Sequence, residues 1–315
     1  MSRHFLRDDD LSPAEQHEVL SLAASLKQAP YDSHSLAGPR TVATIYDKPT
    51  LRTQASFAAG IAELGGHPML VDGTLAGIGK RESVADVARV LGRQASMIVW
   101  RTYAQTALVE MAEYSGVPVV NALTDEFHPC QLLADLLTIR ERKGELAGLT
   151  VAFVGDGGSN MGNSWLLAGA TAGLHVRIAA PEGHQPEEQY VERAREIGAA
   201  TGATAKVLTD ARMAVTGADV VVTDTWVSMG KEDEVADRLA AFADYTVTVE
   251  LMSLAATDAI VLHCLPAYRG KEIDAEVLDG PHSAVWDEAE NRRHAQKAII
   301  TWLMRETADL EEVPQ

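Results

Sequence analysis

Short apolar runs recur along the chain, separated by longer segments of helical spacing. "TVATIY" (41–46), "HPMLV" (67–71), "SMIVW" (96–100) and "GVPVV" (116–120) each have the length of a buried strand. The stretches between them are amphipathic. That alternation predicts βαβ units and a parallel sheet. A second series, "LTVAFVG" (149–155), "HVRIAA" (175–180), "ADVVVT" (218–223) and "AIVLHC" (259–264), predicts a second sheet of the same kind. The expected fold class is therefore α/β, with two lobes that each hold a parallel sheet flanked by helices.

Between the two series, "PCQLLADLLTIRERKGELAG" (129–148) places Leu132, Leu133, Leu136 and Leu137 at helical spacing before a charged run and a glycine stop. It reads as a helix connecting the lobes. "ENRRHAQKAIITWLMRETADL" (290–310) reads as a closing helix, with the polar "EEVPQ" after it expected to fray.

Length agrees with this division, since 315 residues at 46% apolar content supply two cores. The formal charge of −18 argues against a nucleic-acid or membrane-surface binder, because both need a positive face to meet phosphates. Any anion site must be local. No signal-like or membrane-spanning apolar window occurs, and the two cysteines, Cys130 and Cys264, are too few for a disulfide scaffold. A cytoplasmic setting is expected.

In open parallel sheets, ligands gather at the carboxyl ends of strands, and the unusual polar clusters of this chain fall there. After the first strand, "KPTLRTQAS" opens a helix whose N-terminal N–H groups, with Thr50, Arg52, Thr53 and Ser56, form an anion cradle. Simple helix capping by Thr or Ser is the plainer reading, but it leaves Arg52 without a reason. Arg101, in "WRTY", stands at another strand end and by itself reads as a surface arginine. In "NALTDEFHPCQLLAD", His128 and Gln131 bring an imidazole and an amide to a helix start, where both can donate to one small polar ligand.

In the second lobe, "VGDGGSNMGNS" (154–164) resembles a dinucleotide turn only superficially. Gly155 and Gly157 are followed by Asn160 where the third glycine belongs. "TDTWVSMG" (223–230) sets Asp224 at a strand end near Ser228, suited to an ammonium and a carboxylate. "HCLPAYRG" (263–270) sets Cys264 at the next strand end. His and Cys lack the paired spacing and clustering of a zinc site, so no metal is expected.

Together these residues resemble the carbamoyltransferase family, its ornithine branch in particular. "HPCQLLADLLT", "GDGGSNMGNS", "DTWVSMG", "HCLPAYRG" and "WDEAENRRHAQKA" stand in the family's order over nearly the whole chain. The resemblance implies a carbamoyl phosphate domain over 1–144, an ornithine domain over 145–289 and a C-terminal helix, 290–315, returning to the first. It implies a homotrimer or a multiple of trimers, with active sites between lobes and near subunit boundaries. It further implies that Thr50, Leu51, Arg52, Thr53, Arg101, His128, Gln131 and Arg292 hold the donor. Asn160, Asp224, Ser228 and Met229 would hold the amino acid, with Cys264 and Leu265 near the reacting amine. Arg52, Arg101, His128, Asp224 and Cys264 would carry the chemistry. An already activated donor needs neither cofactor nor metal.

The chain departs from the family pattern on the donor side. The usual Ser-Thr-Arg-Thr-Arg turn reads Thr50, Leu51, Arg52, Thr53, Gln54, the acidic residue after "SF" is Ala58, and Gly77 stands where a glutamine is common. Losing one hydrogen bond to a charged group costs about 1.5 to 3 kcal/mol, which weakens a donor without abolishing it. A carbamoyltransferase acting on ornithine or a close analogue is the first expectation. A paralogue with a changed donor, a catalytically weak amino-acid-binding protein and a nicotinamide-dependent dehydrogenase are the alternatives.

Overall fold

The structure is a computed structural model that describes residues 2–227 and 234–311. The chain divides into two compact units, one of Met1–Leu137 with Asn291–Gln315, the other of Thr138–Glu290.

In the first unit, helix α1 (Pro13–Gln28) precedes strand β1 (Thr41–Tyr46), α2 (Arg52–Glu63), β2 (His67–Asp72), the short α3 (Gly73–Ala76) and α4 (Val84–Leu91). Strand β3 (Met97–Arg101), α5 (Gln105–Ser115) and β4 (Val119–Leu123) follow, and α6 (Pro129–Lys143) belongs to this unit as far as Leu137 and to the second from Thr138. The strands are parallel in the order β2-β1-β3-β4. β1 and β3 are central and apolar, as burial on both faces requires. Ala43, Ile45, Ile98 and Trp100 pack there against Val84 of α4 and Leu108 and Met111 of α5. "GVPVV" begins too early as a strand: Gly116 caps α5 in the left-handed region (φ +69°), and pairing starts only at Val119.

The second unit contains β5 (Thr150–Val154), α7 (Asn160–Thr171), β6 (His175–Ala179), α8 (Glu188–Thr201), β7 (Thr204–Leu208), α9 (Ala211–Val215) and β8 (Val220–Thr223). It continues with α10 (Val235–Ala241), α11 (Val249–Met252), β9 (Ile260–His263), α12 (Ala275–Leu278) and the start of α13 (Val285–Glu311). Its parallel sheet runs β7-β6-β5-β8-β9. The strand-length apolar pattern did not reveal β7, because this edge strand alternates polar and apolar residues and stays half exposed.

From Asn291 onward, α13 packs on the first unit. Lys297 Nζ, fully buried, pairs with Glu63 at 2.7 Å, and Asn291 accepts a 2.7 Å hydrogen bond from Lys27 Nζ. The closing helix thus begins five residues before the expected Glu290.

Close packing at the end of β5 depends on one glycine. A Cβ at Gly162 of α7 would lie 2.1 Å from the Gly157 carbonyl oxygen, a backbone atom with nowhere to go. Alanine would favour the helix by only about 0.5 to 1 kcal/mol. The overlap should win: Gly162→Ala is expected to destabilise the protein by about 1 to 3 kcal/mol, read as a lower Tm or urea midpoint.

Candidate active site

Helix α2 begins one residue after its N-cap Leu51, which makes no side-chain cap. The Thr53 N–H reaches the Thr50 hydroxyl only at 3.4 Å. Capping therefore does not account for this polar turn. Leu51 itself is 78% exposed, while Thr53 is buried and accepts a 3.0 Å hydrogen bond from Arg292 Nη2 of α13. Two segments 239 residues apart are thereby fastened together.

Arg101, the last residue of β3, is buried, as are His128, Gln131 and Arg292. Burial lowers the His128 pKa well below its ordinary value, and the positive charges of Arg292, Arg101 and Arg52 lower it further. The imidazole is uncharged at neutral pH, under the influence of three guanidinium charges. Gln131 donates from Nε2 to Asp135 at 2.8 Å, one helical turn on, which fixes its amide plane. Burial pushes the neighbouring Cys130 thiol up to about 12, and the thiol donates to the Asn121 carbonyl at 3.3 Å, so it is inert.

This burial makes the fold sensitive to acid. The unfolded chain protonates His128 near pH 6.5, whereas the folded chain does so only well below that value. Below about pH 6.5 the unfolded state therefore binds the extra proton, and stability present above that pH is lost as the pH falls toward the folded pKa. Urea titrations at about pH 7.5 and 5.5 should show a smaller stability loss for His128→Gln than for the unsubstituted chain.

Lys48 also belongs to this strand-end cluster, although the sequence reading passed it over. It is buried, pairs with Asp125 after β4 and lies 4.4 Å from the Tyr103 ring centroid after β3. One ammonium thus ties together the loops following β1, β3 and β4. Its place two residues before Thr50 was the available signal. Gly77 ends α3 at φ +66°, a left-handed position that a glutamine side chain would strain.

In the second unit, β8 and β9 are neighbours, so Asp224 and Cys264, one residue beyond each strand, meet. Cys264 Sγ donates to Asp224 Oδ1 at 3.1 Å, and the Thr225 N–H donates to the same oxygen at 2.7 Å. Burial raises the Asp224 pKa, and His263, the Cys264 thiol and the Thr225 N–H draw it part of the way back. Asn160 is the first residue of α7, at the end of the adjacent β5. Ser228 and Met229 lie outside the described residues.

His263 was the functional neighbour that spacing did not reveal. The Leu265 N–H donates to its Nδ1 at 2.9 Å, so Nε2 bears the proton, directed at Glu272 Oε1 3.2 Å away. This bond holds Leu265 at φ +59°, a conformation few non-glycine residues adopt. Ligand atoms of Asp224, His263 and Cys264 lie within 4.8 Å of one another, a clustering that sequence spacing did not suggest. It arises because strand pairing joins residues about 40 positions apart. Both ring nitrogens of His263 are engaged in hydrogen bonds here.

Two parallel α/β units thus carry a cationic cluster and an acid-thiol cluster at their strand ends. The family described as aspartate/ornithine carbamoyltransferase matches residues 3–141 with its carbamoyl-P binding domain and 147–303 with its Asp/Orn binding domain. The chain belongs to this family. It is 61% identical over 307 residues to the ornithine carbamoyltransferase of Clavibacter michiganensis subsp. michiganensis, covering 98% of this chain and 100% of the relative. Among solved structures, the Pyrococcus furiosus ornithine carbamoyltransferase matches with TM-score 0.91 at 40% identity, over 95% of this chain and 96% of that one. The Gloeobacter violaceus enzyme matches with TM-score 0.87 at 44% identity, over 96% and 98%.

Proposed function

We propose that this chain transfers the carbamoyl group of carbamoyl phosphate to the δ-amine of ornithine, giving citrulline and phosphate. The observation that supports this reading best is the burial of Arg101, His128 and Arg292 together with the bond from Arg292 to Thr53 of the α2 turn, the charges of Arg292, Arg101 and Arg52 all bearing on the imidazole. Those three cations, with Thr50, Thr53, the Leu51 backbone and the α2 N-terminus, are of the chemical kind that holds a phosphate dianion and are assigned to it. His128 and Gln131 are assigned to the carbamoyl oxygen. An uncharged imidazole can donate one hydrogen bond there as negative charge develops.

Asn160, Asp224, Ser228 and Met229 are assigned to the amino acid, with Cys264 and Leu265 beside the reacting amine. The unprotonated amine attacks the carbamoyl carbon, the tetrahedral oxygen gathers charge, and the C–O bond to phosphate breaks as the amine proton passes to the departing phosphate. Asp224 orients the amine through its carboxylate, and the thiol of Cys264 keeps that carboxylate in place. The chain is further assigned a cytoplasmic location and an assembly as a homotrimer or a multiple of trimers. The exposed Leu70 on edge strand β2 supports a covering partner there, and light scattering of the purified protein tests the mass.

Purified protein should form citrulline from ornithine and carbamoyl phosphate, with saturation in each. Leu51, Gln54 and Gly77 should appear as a raised KM for the donor. Absence of citrulline at saturating donor, with ornithine still bound, would overturn the reading in favour of a different donor.

A further inference from the structure

Arg238 of α10 has no part in the assignments above, yet all three of its guanidinium nitrogens are engaged. Only 3% of its surface is exposed. Its Nε donates to the Trp226 carbonyl at 2.5 Å, its Nη2 pairs with the buried Asp156, and its Nη1 reaches Glu234 at 3.2 Å. Its guanidinium lies 5.4 Å from the Phe242 ring centroid, and Phe242 in turn stacks on Trp226 at 5.8 Å. A planar fork with donors in three directions can make this set of contacts, whereas an ammonium point charge cannot.

The two loops it joins are those that present the amino-acid residues. Asp156 follows β5 and precedes Asn160 by four positions, while Trp226 follows Asp224 by two. Asp156 and Trp226 belong to loops from adjacent strands, so one guanidinium sets the spacing between the Asn160 end and the Asp224 end of the acceptor site. We propose that Arg238 is a positioning residue that fixes this spacing, and so sets which length of diamino acid the enzyme accepts. The inference rests on the proposed carbamoyl transfer to ornithine and deepens it. Ornithine and lysine differ by one methylene, and a rigid site discriminates between them only while its two ends keep their separation.

The test compares Arg238→Lys, Arg238→Met and Asp156→Asn with the unsubstituted chain in citrulline and homocitrulline assays, alongside Tm. Arg238→Lys keeps the charge and should keep the fold, yet it should raise KM for ornithine by about tenfold and shrink the ornithine-to-lysine ratio of kcat/KM by a similar factor. KM for carbamoyl phosphate should remain within about twofold in the same variant. Asp156→Asn retains an acceptor for the guanidinium and should fall between Arg238→Lys and the unsubstituted chain.

A lower Tm with an unchanged ornithine KM and an unchanged lysine ratio would overturn the inference while leaving the function standing. Equal rises in both KM values would overturn it too. If the unsubstituted chain makes no citrulline, the proposed function fails by itself. Calorimetric titration with ornithine and lysine then decides the inference separately: weaker and less selective binding by Arg238→Lys supports it, and unchanged binding sinks it.

Discussion

Arg52→Met should reduce kcat/KM for carbamoyl phosphate by about 10² to 10³, the range seen when one preorganised donor to developing charge is removed. Arg52 opens α2, where its charge adds to the helix N-terminus, and it is close enough to His128 to depress that group's pKa. Unlike Arg101 and Arg292, it is only partly buried. Methionine keeps much of its length, so the fold should persist and Tm should change little. The loss then reports on the donor rather than on stability. Steady-state citrulline formation with carbamoyl phosphate varied at saturating ornithine measures it. A loss under about threefold would remove Arg52 from the donor site.

Asp224→Asn should produce the second large effect, a fall in kcat of about 10² to 10³ with the donor KM little changed. The substitution is nearly isosteric, and the remaining carbonyl oxygen can still accept from the Thr225 N–H and the Cys264 thiol. What disappears is the negative charge that draws and orients the amine. Because burial raises the Asp224 pKa, the acidic limb of the pH–rate profile should lie above that of an ordinary carboxylate. The carboxylate form is needed, so activity falls as the pH drops through that raised value. In Asp224→Asn the part of that limb set by the carboxylate should vanish, leaving the fall that comes from protonating the attacking amine. A limb unchanged in position would show that another group sets it.

Arg52 and Asp224 were both legible as polar residues at strand ends, because the apolar alternation had already located β1 and β8. Their partners were not. Arg292 meets Thr53 across 239 residues, a pairing that no local pattern could supply, the resemblance having implied only that both hold the donor. His263 looked like one more residue of a terminal apolar run, and only the hydrogen bonds from Leu265 and toward Glu272 show that it shapes the turn beyond Cys264. Lys48 could have been found from its place beside the anion turn. Arg238 could not, since in sequence it is one charge on a charged helix.

By itself the sequence determined the α/β class, the two series of parallel strands and the placement of polar chemistry at their carboxyl ends. Those features follow from local periodicity and from the rule that strands buried on both faces are apolar. The glycine stop after α6 was equally local, for Gly144 lies at φ +87°. Tertiary structure alone decided that β4 starts after the Gly116 cap and that the half-exposed "TAKVL" pairs as edge strand β7. It also decided which cations surround His128, and that Asp224, His263 and Cys264 share one small volume. Burial, proton placement and the spacing of loops depend on atoms from distant segments meeting in a low-dielectric interior, and no window along the chain contains them.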